Sequence, residues 1–243
     1  MSVSYANSTS AVEFTADFGF LSAGGGAAGD VLLNVNTLTL SRFADTFDAG
    51  FESSSFFIPV IVFAAGGNDR LNLNGVTSWV DGGSGNDRIT GLMQNGLIEG
   101  GTGKDVADVR FVGFLSDTFT LSGGAGDDVL TIFCPTLGEK KTSDAYQFVG
   151  GAGNDRMNDQ TDATESASDF VFGPDWGNDT ITGFDGVVDD IVFSGTDAIG
   201  LKEFSHLTIS GNATETLVSF GTNSITLVGF DVANFNGGDV VFL

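Results

Sequence analysis

The sequence predicts an all-β chain wound as a solenoid, on three observations: its glycine-rich acidic composition, a recurring turn motif, and a nine-residue step between apolar residues. Thirty-six Gly and only 3 Pro divide a chain that is 41% hydrophobic and holds 23 Phe, the profile of short apolar strands joined by frequent turns. At 243 residues it can bury a sizeable core in one domain.

The motif G-G-x-G-x-D-x-apolar runs from Gly82 ("GGSGNDRIT"), Gly123 ("GGAGDDVLT") and Gly150 ("GGAGNDRMN"), and from Gly100 ("GGTGKDVAD") with Ala107 in the apolar slot. Partial copies flank these. "AAGGNDRLN" from Ala64 keeps Gly67 and Asp69, "GPDWGNDTI" fits only from Gly177 onward, and "GGAAGDVLL" from Gly25 lacks its third glycine. Ordered glycine loses more entropy than any other residue, so a repeated run marks backbone at positive φ or in close approach to something.

Phase says more than similarity, because a solenoid must return apolar residues to its core at a fixed step. Steps of nine give Val62, Leu71, Val80, Ile89, Ile98 and Ala107, and later pair Leu121 with Leu130, Phe148 with Met157, and Phe172 with Ile181. The same step from Val60 gives Asp69, Ser78, Asp87, Gly96 and Asp105, so aspartate returns on alternate turns. Nine residues before Asp128, Asp155 and Asp179 stand Phe119, Tyr146 and Phe170. One coil is therefore two short strands and two turns, with every motif carboxylate on one edge and no equivalent ligand on the other.

Edge aspartates from Asp69 to Asp179 are spaced 18, 18, 23, 27 and 24 residues apart. The surplus falls between a glycine turn and the next incoming strand, on the edge without aspartate, where a binding surface usually grows. Lys140 and Lys141 in "GEKKTSDAY", the only adjacent basic pair, mark a candidate partner-binding loop in the longest insertion.

The formal charge is −23, and 25 of the 32 acids are Asp. Such a field disfavours nucleic acid and anionic membrane surfaces as partners. It suits calcium, which takes about six to eight oxygen ligands without strict geometry. A glycine turn can aim backbone carbonyls inward while its aspartate supplies charge, and two turns stacked roughly 4.8 Å apart together complete a shell. The candidate ligands are Asp69, Asp87, Asp105, Asp128, Asp155 and Asp179, with Gly67, Gly83, Gly85, Gly101, Gly103, Gly124, Gly126, Gly151, Gly153 and Gly177. Asp30, in the degenerate copy, joins them. Magnesium demands stricter octahedral geometry, and zinc would want His or Cys, of which there is one each. A row of close carboxylates repels itself until cations fill the gaps, which makes metal binding part of the folding free energy. Arg70, Arg88 and Arg156, each following an aspartate, are expected to face water.

These residues resemble the RTX proteins, the hemolysin-type calcium-binding repeat family. The resemblance covers residues 64–193 and implies a right-handed parallel β-roll with calcium lodged between turns. "WGNDTITGFDGVVDDIVFSG" from Trp176 and "TLVSFGTNSITLVGFDVANFNGGDVVFL" from Thr216 are similar to the C-terminal region of serralysin-like and other type I secretion substrates, and "DVVFL" to their uncleaved signals. That implies export by a type I secretion apparatus of a Gram-negative bacterium and an extracellular or cell-surface location. The absence of Lys and Arg from the first 40 residues, which leaves no ordinary signal n-region, agrees with that route. The chain departs from relatives that bind calcium on both edges, since alternate turns here lack aspartate.

Three regions follow: an irregular β cap over 1–60, the calcium-binding roll over 61–193, and a cap over 194–243 whose short apolar runs, broken by Gly-Asn and Gly-Gly, read as antiparallel strands. The run "FFIPVIVFAA" at 56–65 is about half a membrane span and reads as a buried strand. A single cysteine, Cys134, excludes an intrachain disulfide.

Enzymatic readings find little support. The single histidine, His206, excludes an H-E-x-x-H zinc protease site. Ser205 and His206 as neighbours in a strand would point to opposite faces, so His206 is expected at the surface or edge of the terminal sheet. An ice-binding row of Thr is broken at the equivalent positions Ser84, Thr102, Ala125 and Ala152. The alternative is a carbohydrate-active (epimerase- or lyase-like) or carbohydrate-binding module working through the edge that lacks metal ligands.

Overall fold

The structure is a computed structural model that describes the chain apart from residues 18–19, 34, 50–60, 74–77, 94, 112–117, 135–144 and 162–166. Lys140 and Lys141 thus lie outside the described residues, as does the first half of the apolar run, 56–60. The rest of that run enters the strand Ile61–Phe63, with Val62 buried. No helix among the described residues is long and apolar enough to cross a membrane.

Two sheets face each other, and the chain alternates between them. The ten-stranded sheet runs from Ser2–Ser4 through Thr37–Thr39, Ile61–Phe63, Ser78–Asp81, Gly96–Thr102, Thr118–Ala125, Ala145–Ala152, Ala167–Phe172 and Asp190–Phe193 to Val240–Phe242, every pair parallel. Thr46–Asp48, Arg70–Asn72, Arg88–Met93, Val106–Phe111, Val129–Phe133, Arg156–Gln160 and Asn178–Thr182 form the parallel body of the thirteen-stranded sheet. A parallel β-roll results, as the nine-residue step predicts.

Register turns that step into a core. Leu38, Val62, Val80, Ile98, Leu121, Phe148, Phe170 and Ile191 align in one column, and Phe47, Leu71, Ile89, Ala107, Leu130, Met157 and Ile181 face them from the other sheet. All are at most 1% exposed, so each large apolar side chain contributes about 1.5–3 kcal/mol. Phe148 and Phe170 stack at 5.0 Å with their planes 7° apart.

One pairing is corrected. Phe170, not Phe172, takes the core register opposite Ile181, eleven residues away rather than nine. The turn around "GPDWGND" is two residues longer than its fellows, so some surplus residues sit on the aspartate edge after all. Phe172 is buried beside Trp176 of the wider turn (6.2 Å) and its register partner Phe193 (5.9 Å).

The roll also starts earlier than residue 61. Leu38 and Phe47 stand nine residues apart and align with Val62 and Leu71. The irregular part is shorter: Val12–Asp17 pairs parallel with Thr46–Asp48, then turns back through antiparallel Phe20–Gly25 and Val31–Leu33. At the other end Asn223–Val228 adds a parallel strand beside Asn178–Thr182, and Glu215–Phe220 and Thr208–Asn212 close it antiparallel.

Candidate metal edge

Backbone crowding explains the glycines. The second and third glycines of each full motif are left-handed, as at Gly83 (φ 89°) and Gly85 (φ 131°). A Cβ on Gly85, Gly103, Gly126 or Gly153 would come under 3.0 Å from the carbonyl oxygen of the matching glycine one coil earlier. Bonds such as Gly85 N–H to Thr102 O and Thr102 N–H to Gly83 O, both 2.8 Å, lock the turns together. Ala65, at φ 70°, is the one described non-glycine at positive φ, and it occupies the second-glycine place of the first turn.

The aspartates form a ladder along this edge. The backbone N–H of Asp45 donates to Asp69 Oδ1 (2.6 Å), Asp69 to Asp87 (2.8 Å), Asp87 to Asp105 (2.7 Å), Asp105 to Asp128 (2.8 Å), Asp128 to Asp155 (2.8 Å) and Asp155 to Asp179 (2.8 Å). Asp69 through Asp179 are 1–2% exposed, and the second oxygen of each, Oδ2, is buried with no hydrogen-bond partner. The first glycine of each full motif explains where these oxygens point. A Cβ on Gly82 would lie 2.8 Å from Asp87 Oδ2, on Gly100 2.7 Å from Asp105 Oδ2, and on Gly150 2.6 Å from Asp155 Oδ2. On Gly82, Gly100 and Gly123 the same Cβ would also come under 3.0 Å from the first-glycine carbonyl oxygen of the next coil.

Burial dominates the electrostatics. It pushes Asp69 and Asp179 up to about 8, Asp128 to about 7, and Asp87 and Asp155 to about 6, while the donated N–H bonds pull the other way and neighbouring carboxylates add to the rise. Asp105 is raised for the same reason. An orphaned anionic oxygen in a dry site is costly unless something positive meets it.

The structure thus brings Asp69, Asp87, Asp105, Asp128, Asp155 and Asp179 to one edge with their glycines, and adds a rung outside the motif. Asp45 occupies the same register, but its carboxylate is satisfied: Oδ1 accepts Val12 N–H and Ser41 Oγ–H (both 2.7 Å), and Oδ2 accepts Ser41 N–H (2.6 Å). Asp30 lies off this edge. It is exposed after the Phe20–Gly25 hairpin strand and its Oδ2 accepts the Tyr5 hydroxyl at 2.6 Å, because the N-terminal strands there fold back instead of coiling. A second, exposed ladder runs through the residue before each aspartate: Asn86 N–H donates to Asn68 Oδ1 and Lys104 N–H to Asn86 Oδ1 (both 2.8 Å), and Lys104 Nζ pairs with Asp127. The repeated Asn at 68, 86, 154 and 178 is its sequence signal. Arg70, Arg88 and Arg156 are exposed as expected.

On the opposite edge the aligned residues are Ser78, Gly96, Phe119, Tyr146, Ser168 and Asp189. Ser168, not Phe170, holds that register in its coil. Asp189 is the one aspartate among the six, with Oδ1 accepting Ser168 N–H (2.9 Å) and Oδ2 accepting Asp185 N–H (2.8 Å). Phe119 and Tyr146 turn into the core, 5.8 and 4.9 Å from Phe111. His206 is exposed on the short 3-10 turn Phe204–His206, with Nε2 3.2 Å from Glu203 Oε1.

No protein-family model matches the chain, and no curated protein matches its sequence. Among solved structures it is similar to the crystal structure of extracellular lipase LipA from Serratia marcescens, with a TM-score of 0.36 and 17% identity over 87% of this chain and 45% of that one. The chain spans about half the length of that protein. A likeness at this level says nothing of activity.

Proposed function

We propose that this chain is a secreted calcium-binding protein of the RTX type, without a catalytic centre, whose roll is completed by calcium outside the cell. One observation carries the reading: six stacked carboxylates, Asp69 to Asp179, each with one oxygen buried and unpartnered. Hard oxygen donors of this kind, carboxylate and backbone carbonyl together, suit calcium. The carboxylates would hold it with carbonyls of the glycine turns, among them Gly67, Gly83, Gly85, Gly101, Gly103, Gly124, Gly126, Gly151, Gly153 and Gly177. Bound calcium supplies positive charge that offsets the burial of the anions. Low free calcium in the cytosol would leave the carboxylates unbalanced until export, by the type I route that the sequence resemblance implies.

The test is a calcium titration of the chain in chelexed buffer followed by far-UV circular dichroism, with magnesium as control. A cooperative gain of β structure at about 0.1–1 mM calcium, the range of extracellular modules, is expected, with little response to magnesium. Full β structure in excess chelator, unchanged by calcium, would overturn the reading.

A further inference from the structure

Charge divides between the two outward faces of the roll. Arg70, Arg88, Arg110 and Arg156 alternate with the core residues Leu71, Ile89, Val109 and Met157, and so stand on the outward face of the thirteen-stranded sheet. No described Lys or Arg lies in the ten-stranded sheet. Its outward face carries carboxylates instead, and beside them Trp79, 38% exposed, with Phe63 5.2 Å away. On each face two charges of one sign sit side by side: Asp81 is the register partner of Glu99, and Arg70 of Arg88. Like charges directly opposite on neighbouring strands are destabilising, and no ion pair among the described residues offsets either pair. Both pairs flank the aspartate edge. Asp81 enters and Arg88 leaves the same turn, 82–87, on opposite faces.

We infer that each face takes a second copy of this chain: copies stack sheet against sheet, with Arg70 and Arg88 of one against Asp81 and Glu99 of the next. The match is one of spacing as well as sign, since the two charges of each pair stand one strand interval apart, roughly 4.8 Å. Trp79 adds to the contact, because its Nε1–H donates to Glu99 Oε2 (2.9 Å) and a guanidinium on that carboxylate can reach the indole ring. The contact joins unlike surfaces. Every copy keeps one free face of each kind, so it extends as a row rather than closing as a pair. The net charge of −23 opposes association in general, which leaves the local pairing to drive it.

Sedimentation velocity of the full chain over a series of concentrations tests this, with circular dichroism to check that each variant holds its roll. The natural chain should grow from monomer into a row of copies, and Trp79 should become less accessible to acrylamide as it grows, while Trp176, 1% exposed, contributes no change. Glu99→Arg makes the chain less negative, yet it should raise the concentration needed for association by about tenfold or more, because it sets like charges across the contact. Arg88→Glu should do the same from the other face. Mixing the two variants should restore association, one supplying an intact arginine face and the other an intact acidic face. If Glu99→Arg does not fold, Arg88→Glu, at an exposed site, decides. A natural chain that stays monomeric throughout, or variants that associate as readily as it does, would overturn the inference. The runs are made in saturating calcium, and a chain that folds without calcium is compared in the same way, so the calcium reading can fail while this one stands.

Discussion

The two edges of this roll are made by the same coils and follow opposite rules. On the aspartate edge, backbone meets backbone so closely that the third glycines admit no Cβ, and one carboxylate per coil bonds the next in series. On the other edge the aligned position changes from Gly96 to Phe119, Tyr146, Ser168 and Asp189, and the connections vary in length. The difference teaches which interaction constrains a solenoid. Turns joined through main-chain atoms and buried charge must repeat, whereas turns that only return the chain to an apolar core are free to drift.

The largest effect is expected from breaking the ladder at its centre. Asp105→Ala removes the acceptor for Asp87 N–H and one anionic oxygen of the edge, leaving a buried N–H worth about 1–3 kcal/mol unsatisfied. Asp105→Asn keeps an acceptor and removes only the charge. In urea melts with saturating calcium, both variants should lose most of the calcium-dependent stabilisation, and Asp105→Ala should fall further by about 1–3 kcal/mol. Equal stability of Asp105→Asn and the natural chain in calcium would show that the charge is not needed, and the two edges would then differ in packing alone.

The nine-residue step makes most of this architecture legible in the sequence. Val62 to Ala107 recur without a break because strand length, and hence coil length, is set by the width of the core. Where a turn widens, the step fails. Phe172 is apolar and nine residues from Ile181, so spacing alone selects it over Phe170; only the packing of Trp176 into the turn reveals the two extra residues. Asp45 escapes the motif search because its turn, "SRFAD", uses Ser41 in place of glycine to bind the carboxylate. The exposed Asn ladder repeats plainly in sequence, but its hydrogen bonds need the stacked geometry to become visible. Asp30 shows the converse error: a glycine-rich acidic turn marks a sharp reversal of the chain, which a hairpin uses as readily as a coil.

An intermediate effect should follow pH, with opposite signs with and without calcium. Burial raises Asp69, Asp87, Asp128, Asp155 and Asp179 to about 6–8 in the folded chain, against about 3.8 unfolded. The metal-free roll thus binds more protons than the unfolded chain, so this stability is present below about pH 4 and is lost as pH rises through 6 to 8. In chelator, the thermal midpoint should fall between pH 6 and 8, a window in which ordinary carboxylates do not titrate. In saturating calcium it should rise over the same window, since protons and cation compete for the same oxygens. Curves of the same sign in both conditions would detach the metal from the ladder.

The smallest effects belong to the opposite edge and serve as its control. Asp189 is buried and raised to about 7, as its counterparts are, chiefly by burial. Both of its oxygens already accept an N–H, from Ser168 and Asp185, so no vacancy faces a cation. Asp189→Asn trades one acceptor for a donor against a backbone N–H, a loss of about 1–2 kcal/mol in urea melts, with the calcium midpoint unmoved. Ser168→Ala removes a buried hydroxyl that has no partner, and should be neutral or slightly stabilising, within about 1 kcal/mol. A weakened calcium response in either variant would mean that the two edges are coupled through the core, and that the repeating edge does not set its own affinity.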